Sequence, residues 1–184
     1  MNPPTLYLRT AAAQDLDLLL QWRREAAAWL QAEHDTAQWS APADEQRLLN
    51  WIEEGATFLA SLRPGGTPVA TITSTPHGSP VLWTEEELRT PARYLHKLVV
   101  DRSHAGMGIG GCLGLWARSH AARTGVSIVR YSAWASNEKL LAFYRGFQGR
   151  CVRMVPGFNN GALFEDPAQA RDDLPVVEGD DVPV

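Results

Sequence analysis

Cysteine is scarce in this chain of 184 residues: Cys112 and Cys151 are its whole complement. Two thiols supply neither a disulfide framework nor the spacing of metal ligands, and His34, His77, His104 and His120 show no metal spacing either. We therefore expect no metal. No apolar run approaches the ~20 residues that a membrane span needs. The start, Met1-Asn2-Pro3-Pro4, lacks the basic flank and apolar stretch of a signal peptide. A cytoplasmic, reduced protein without a membrane partner is the expectation. Lysine is also rare, 2 residues against 15 arginines, a bias expected of a GC-rich bacterial genome.

Basic charge is lacking overall, with a formal net charge of −4, but the deficit is local. Residues 165–184 hold Glu165, Asp166, Asp172, Asp173, Glu178, Asp180 and Asp181 against Arg171 alone. The preceding 164 residues are slightly basic. Such a body suits an anionic ligand and carries too little charge for a nucleic-acid footprint. The acidic stretch, with Pro167, Pro175 and Pro183, reads as a loosely docked or disordered tail. Residues 1–164 read as one domain, since 45% hydrophobic content and this length support one sizeable core.

Periodicity divides that domain into alternating elements. Thr5–Thr10 alternates as a strand, and Asp15 caps a helix running to about Gln31. A second helix is expected from near Ser40, with Pro42 in its first turn and Gly55 ending it. Thr57–Leu62 and Thr67–Thr75 flank Arg63-Pro64-Gly65-Gly66 as a hairpin. Tyr94–Val100, a helix over Gly110–Thr124 and a strand over Val126–Trp134 form a βαβ unit, whose strands must run parallel. A short helix from Asn137 to Tyr144 and strands near Cys151–Val155 and Ala162–Phe164 follow. The class is α/β, with a mixed sheet flanked by helices.

Ala105-Gly106-Met107-Gly108-Ile109-Gly110-Gly111 lies between a strand and a helix. Glycines let the backbone approach an anion closely, and the N–H groups and dipole of the helix start favour negative charge. A phosphate site is the expectation; the plainer alternative is a tight turn. Gly106, Gly108 and Gly111 also match the dinucleotide pattern GxGxxG. That fold wants an acidic residue at the end of the next strand, about 20 residues on. Ile128-Val129-Arg130-Tyr131-Ser132 holds none, although Arg130 could meet a 2′-phosphate, which leaves NADP as a rival.

Leu98-Val99-Val100-Asp101-Arg102 leading into Ala105-Gly106-Met107-Gly108-Ile109-Gly110 resembles the signature of the GNAT superfamily of N-acetyltransferases. Asn137, Tyr144 and Gly146-Phe147 resemble its second signature. The resemblance implies a central, mostly antiparallel sheet splayed at two parallel strands, with acetyl-CoA as co-substrate held between them. It implies that backbone groups around Leu98, Val99 and Val100 hold the pantetheine and that amides over Ala105–Gly111 hold the pyrophosphate. Asn137 would contact the cofactor arm, and Tyr144 would protonate the departing thiolate. Ala105 departs from the usual Gln or Arg, and the interval from Tyr144 to Gly146-Phe147 is two residues short. Tyr94-Leu95-His96-Lys97-Leu98 further resembles the matching strand of arylalkylamine N-acetyltransferases. There two histidines line a proton exit route; His96 matches the second and Tyr94 replaces the first.

An alkylamine near pKa 10.4 is mostly protonated at neutral pH, so a base such as an imidazole near 6.5 assists its acetylation. His96, sharing a strand face with Tyr94 and Leu98, is the candidate base; a hydrogen-bonded sheet histidine is the alternative. Tyr144 is the candidate acid or a packing residue beside Leu140, Leu141 and Phe143. Glu85-Glu86-Glu87 could attract a cationic amine or simply be solvated. Trp22, Trp29, Trp39 and Trp51 suit an aromatic acceptor pocket or a core. Transfer to a small-molecule amine, by a monomer or homodimer, is the leading expectation. Its rivals are a CoA-binding regulator without turnover, and an enzyme acting on a protein N-terminus, a lysine, an aminoglycoside or a tRNA-linked amino acid.

Overall fold

Leu6 and Leu8 alternate with more exposed neighbours, and this period of two makes Leu6–Thr10 a half-buried strand, β1. The computed structural model describes residues 3–146 and 149–179 of the chain. Phe147 of the second signature and Asp180, Asp181 and Pro183 of the acidic stretch lie outside them. Two units are present, one from Met1–Thr73, Lys97–Leu115 and Asp173–Val184, the other from Ser74–His96 and Trp116–Asp172.

In the first unit β1 is followed by α1, Leu16–His34, and α2, Glu45–Glu53. Then come β2, Thr57–Ser61, and β3, Pro68–Thr75, of which Pro68–Thr73 belong to this unit. Both neighbours of β2 pair with it antiparallel, as the hairpin signal requires. The core beneath packs Leu19 and Trp22 of α1 and Ile52 of α2 on Leu59 of β2, with Ala11 alongside. Asp15 does precede α1, yet its carboxylate turns away from the helix amides. It accepts from Ala12 N–H at 2.8 Å and takes a bidentate pair from Arg9, both at 2.8 Å. The second helix starts at Glu45 and not near Ser40. Asp44 accepts the N–H of Arg47 at 3.0 Å, and this side-chain cap outcompetes Pro42 as the starting point.

The second unit carries α3, Glu85–Arg89, then β4, Arg93–Val100, which continues into the first unit from Lys97. α4, Ile109–Arg123, likewise belongs to both units. β5, Ile128–Ala133, α5, Glu138–Gly146, β6, Arg150–Met154, and β7, Ala162–Pro167, complete it. β4 and β5 run parallel, as a βαβ crossover demands, whereas β5 and β6 each pair with β7 antiparallel. The parallel register spans only Arg93–Leu95 against Val129–Tyr131. The short α3 was not expected from the charge run; Thr84 and Glu87 form a capping box that turns that run into a helix.

Part of the acidic stretch lies in strands. Glu165 and Asp166 lie in β7, where Glu165 pairs with Arg130 at 2.9 Å and Arg150 at 3.2 Å. Val176–Glu178 forms β8, parallel to β1, with Leu6 N–H donating to Pro175 at 2.8 Å. Arg130 and Arg150, distant in sequence, neutralise Glu165, and the edge of β1 takes up the β-branched pair Val176-Val177. The α/β class with a mixed, mostly antiparallel set of strands is observed.

Candidate active site

At the end of β4, Asp101 donates its N–H to Val69 of β3 at 2.8 Å. Its carboxylate then accepts the N–H and hydroxyl of Ser103, at 3.1 and 2.8 Å. This closes a single helical turn over Arg102–His104, from which the glycine loop departs. Gly106 and Gly108 have φ of 82° and 77°, the left-handed region that excludes most side chains. With Met107 between them they carry the backbone from that turn into α4. Cys112 N–H donates to Gly108 at 3.0 Å, the first bond of the helix ladder. The amides of Ile109, Gly110 and Gly111 therefore belong to the first turn, where N–H groups have no carbonyl of the helix to meet. Ile109, Cys112 and Leu113 are buried at 1%, 3% and 0% exposure and anchor that turn, whereas Ala105, Gly106 and Gly108 are exposed. Backbone N–H groups are the donors this loop offers an anion, and the methyl of Ala105 adds none.

Leu98, Val99 and Val100 are half-buried in β4, and Val99 packs on the core that holds Leu59 and Trp22. Lys97 has φ of 51°, an outlier for a strand residue. It interrupts the simple alternation on which the shared face of His96 and Leu98 was expected. Tyr94, which stands in place of the first histidine, is a core residue. It is 3% exposed, edge-on to Trp83 at 5.8 Å, and its hydroxyl accepts from Arg130 at 3.1 Å. His96 is half-buried, with Nε2 shielded from solvent.

Asn137 sits at the start of α5. Its side-chain oxygen accepts Leu140 N–H at 3.0 Å and its carbonyl accepts Leu141 N–H at 3.0 Å. It is thus the helix cap. Tyr144, one residue from the solvent-facing Phe143, lies against Tyr131 at 4.6 Å and Phe164 at 5.5 Å. Burial pushes its hydroxyl up to about 12, so the phenol holds its proton throughout the neutral range. Of the acid run, Glu87 takes both guanidinium nitrogens of Arg153 at 2.9 and 2.8 Å. That bond and the Thr84 contacts outweigh desolvation and hold the Glu87 carboxyl down to about 2. Glu85 pairs with Arg89 at 3.0 Å. A carboxyl so tightly ion-paired makes a poor base.

The tryptophans divide. Trp22 is core, while Trp29 lies under the Arg102 guanidinium at 3.7 Å and edge-on to His34 at 4.7 Å. Trp39 has φ of 67° and faces Lys97. Sequence reasoning missed Lys97, whose strained φ has no signal in one-residue patterns. It also missed Asp166, buried in β7 and bonded by the Tyr131 hydroxyl at 2.9 Å. Among the described residues no cluster of His, Cys, Asp or Glu could hold a metal ion. None of their helices is long and apolar enough to cross a membrane.

A strand, a left-handed glycine loop and a helix start that presents amides mark this α/β protein. The model of the acetyltransferase (GNAT) family matches residues 19–148, and the chain belongs to that family. Among solved structures, a GNAT-family acetyltransferase from Listeria monocytogenes 4b F2365 is similar at 22% identity with a TM-score of 0.73, covering 88% of this chain and 94% of that one. The PaiA N-acetyltransferase from Thermoplasma acidophilum, solved with coenzyme A, is similar at 17% identity and TM-score 0.67 over 88% and 98%. YncA from Salmonella typhimurium, a putative acetyltransferase solved with its cofactor acetyl-CoA, is similar at 13% and 0.62 over 90% and 95%. No curated protein matches the chain. The GNAT expectation from the two signatures is borne out.

Proposed function

We propose that this protein transfers an acetyl group from acetyl-CoA to the primary amine of a small molecule, by direct attack in a ternary complex. The observation that carries the reading is the pair of left-handed glycines, Gly106 and Gly108, delivering the first-turn amides of α4. Amides over Ala105–Gly111 bind the pyrophosphate, while backbone groups of Leu98, Val99 and Val100 hold the pantetheine. Asn137, its oxygen committed to the cap, contacts the cofactor arm through its amide group. His96 accepts a proton from the amine as nitrogen attacks the thioester carbonyl. Tyr144 donates its proton to the sulfur as the C–S bond breaks, giving the amide and the free thiol. Burial raises the phenol, so Tyr144 keeps a proton to donate across the neutral range. We place the reaction in the bacterial cytoplasm, performed by a monomer or homodimer.

A matched pair of variants tests the carrying observation. A Cβ on Gly106 meets nothing within 4 Å, so only its φ resists substitution. Asp and Asn tolerate that conformation better than other residues and differ chiefly in charge. Gly106→Asp is expected to weaken acetyl-CoA binding on the order of 10-fold or more beyond Gly106→Asn, because it sets a carboxylate against the phosphates. Calorimetry reads the difference. Equal affinities in two folded variants would remove the pyrophosphate from this loop. Thiol release across a panel of amines then separates transfer from binding without turnover.

A further inference from the structure

Three cations from three separate elements of the first unit reach the loop between α1 and α2 that carries Trp39 and ends at Asp44. Arg23 comes from α1, Arg47 from α2 and Lys97 from β4. Lys97 Nζ stands 5.9 Å from the Trp39 ring centroid. Burial, then Arg23, then Arg47 press its ammonium toward the neutral form, and Asp44 alone opposes them. Asp44 is already engaged: one carboxylate oxygen caps α2 through Arg47 N–H at 3.0 Å and the other pairs with Arg47 Nε at 3.2 Å. Arg23 donates from its terminal nitrogen to the Ala41 carbonyl at 2.6 Å. That bond pins the loop between α1 and α2 and leaves Arg23 Nε buried without a hydrogen-bond partner.

Among the described residues neither Arg23 nor Lys97 meets a carboxylate at ion-pair distance. Two partly desolvated cations side by side, one with an orphaned donor, form a costly arrangement unless an anion completes it. The backbone holds the arrangement against strain as well. Lys97 and Trp39 both take left-handed conformations, φ 51° and 67°, which bulky residues avoid and which cluster at ligand sites.

We propose that Arg23 and Lys97 bind an anionic group on the acceptor, a carboxylate or a phosphate, with the Trp39 ring as the apolar wall beside it. The acceptor class is then an amine that also carries an acid, such as an amino acid or an amino-alkyl phosphate. This rests on the acetyl-transfer reading above. Arg23 Nε supplies the unused donor, Lys97 a compact charge, and Arg47 the surrounding positive field.

The test compares matched acceptors, phenylalanine against phenethylamine and phosphoethanolamine against ethanolamine, with Arg23→Gln and Lys97→Asn variants. Asparagine tolerates the φ of Lys97, so that variant is expected to fold, as its thermal transition will show. The wild type is expected to favour the acidic member of at least one pair by on the order of 10-fold or more in kcat/KM, through KM. Which pair responds distinguishes carboxylate from phosphate. Both variants are expected to bring that ratio to within about 2-fold. Neutral members used as well as acidic ones, or variants that keep the ratio, would overturn the anion site and leave the transferase reading standing. Calorimetry of N-acetylphenylalanine and N-acetylphosphoethanolamine with the CoA-loaded protein supplies a readout independent of turnover. Binding that weakens in both variants, with no amine acetylated, would keep the anion site and overturn the transferase reading. Binding that is absent or unaltered by the variants would overturn the anion site whatever the turnover.

Discussion

Replacing Glu87 by glutamine removes one charge and changes little else, since the amide oxygen still reaches the N–H of Thr84 in the capping box. Arg153, which holds the carboxylate with two nitrogens and Leu82 through a third bond at 3.0 Å, loses its counter-ion. The carboxyl lies at about 2 in place of its ordinary 4.5. Taken at face value the difference corresponds to about 3 kcal/mol. The side chains of Glu87 and Arg153 keep 22% and 36% exposure, so solvent screening reduces the expected loss to about 1–2 kcal/mol. The folded-state value is depressed, so the contribution is complete above the unfolded value near 4.5 and disappears as pH falls toward 2. Urea denaturation of wild type and Glu87→Gln between pH 3 and 7 measures it. The gap is expected to be flat above about pH 5.5 and to narrow steadily below pH 4.5. A gap that ignores pH would refute the ion-pair account. Loss of turnover in a stable Glu87→Gln protein would instead make Glu87 the base.

Tyr144→Phe retains the contacts to Tyr131 and Phe164 and removes only the donor. We expect kcat to fall on the order of 10²-fold with acetyl-CoA affinity nearly unchanged, measured by steady-state kinetics and calorimetry. With the hydroxyl up at about 12, the wild-type rate is expected to show no tyrosine limb at or below pH 10; wild-type turnover in the phenylalanine variant would assign the proton to solvent. His96→Gln is expected to erase the rise of kcat/KM through neutrality and keep the rise from the amine's own ionisation, with rates recovering at alkaline pH. Profiles that overlay would make His96 a structural residue of β4.

Local patterns settle wherever one element's own chemistry decides the outcome. The period of two in β1, the hairpin at Arg63–Gly66 and the βαβ order around α4 are of this kind. So are the two glycines, the residue type for which a positive φ costs least. These made the family legible from residues 94–147 of the sequence. Contacts distant in sequence decided the rest. Glu165 and Asp166 read only as the start of an acidic tail, whereas β7 sets them beside Arg130 and Tyr131, more than thirty residues away. Asn137 carries one side-chain oxygen, and only the path of α5 commits it to Leu140. Lys97 looks like any strand residue between His96 and Leu98. Its left-handed backbone, and its neighbours Arg23 and Trp39 from distant segments, follow from packing in three dimensions. Periodicity reports which face of an element is buried, and says nothing of which charges burial brings together.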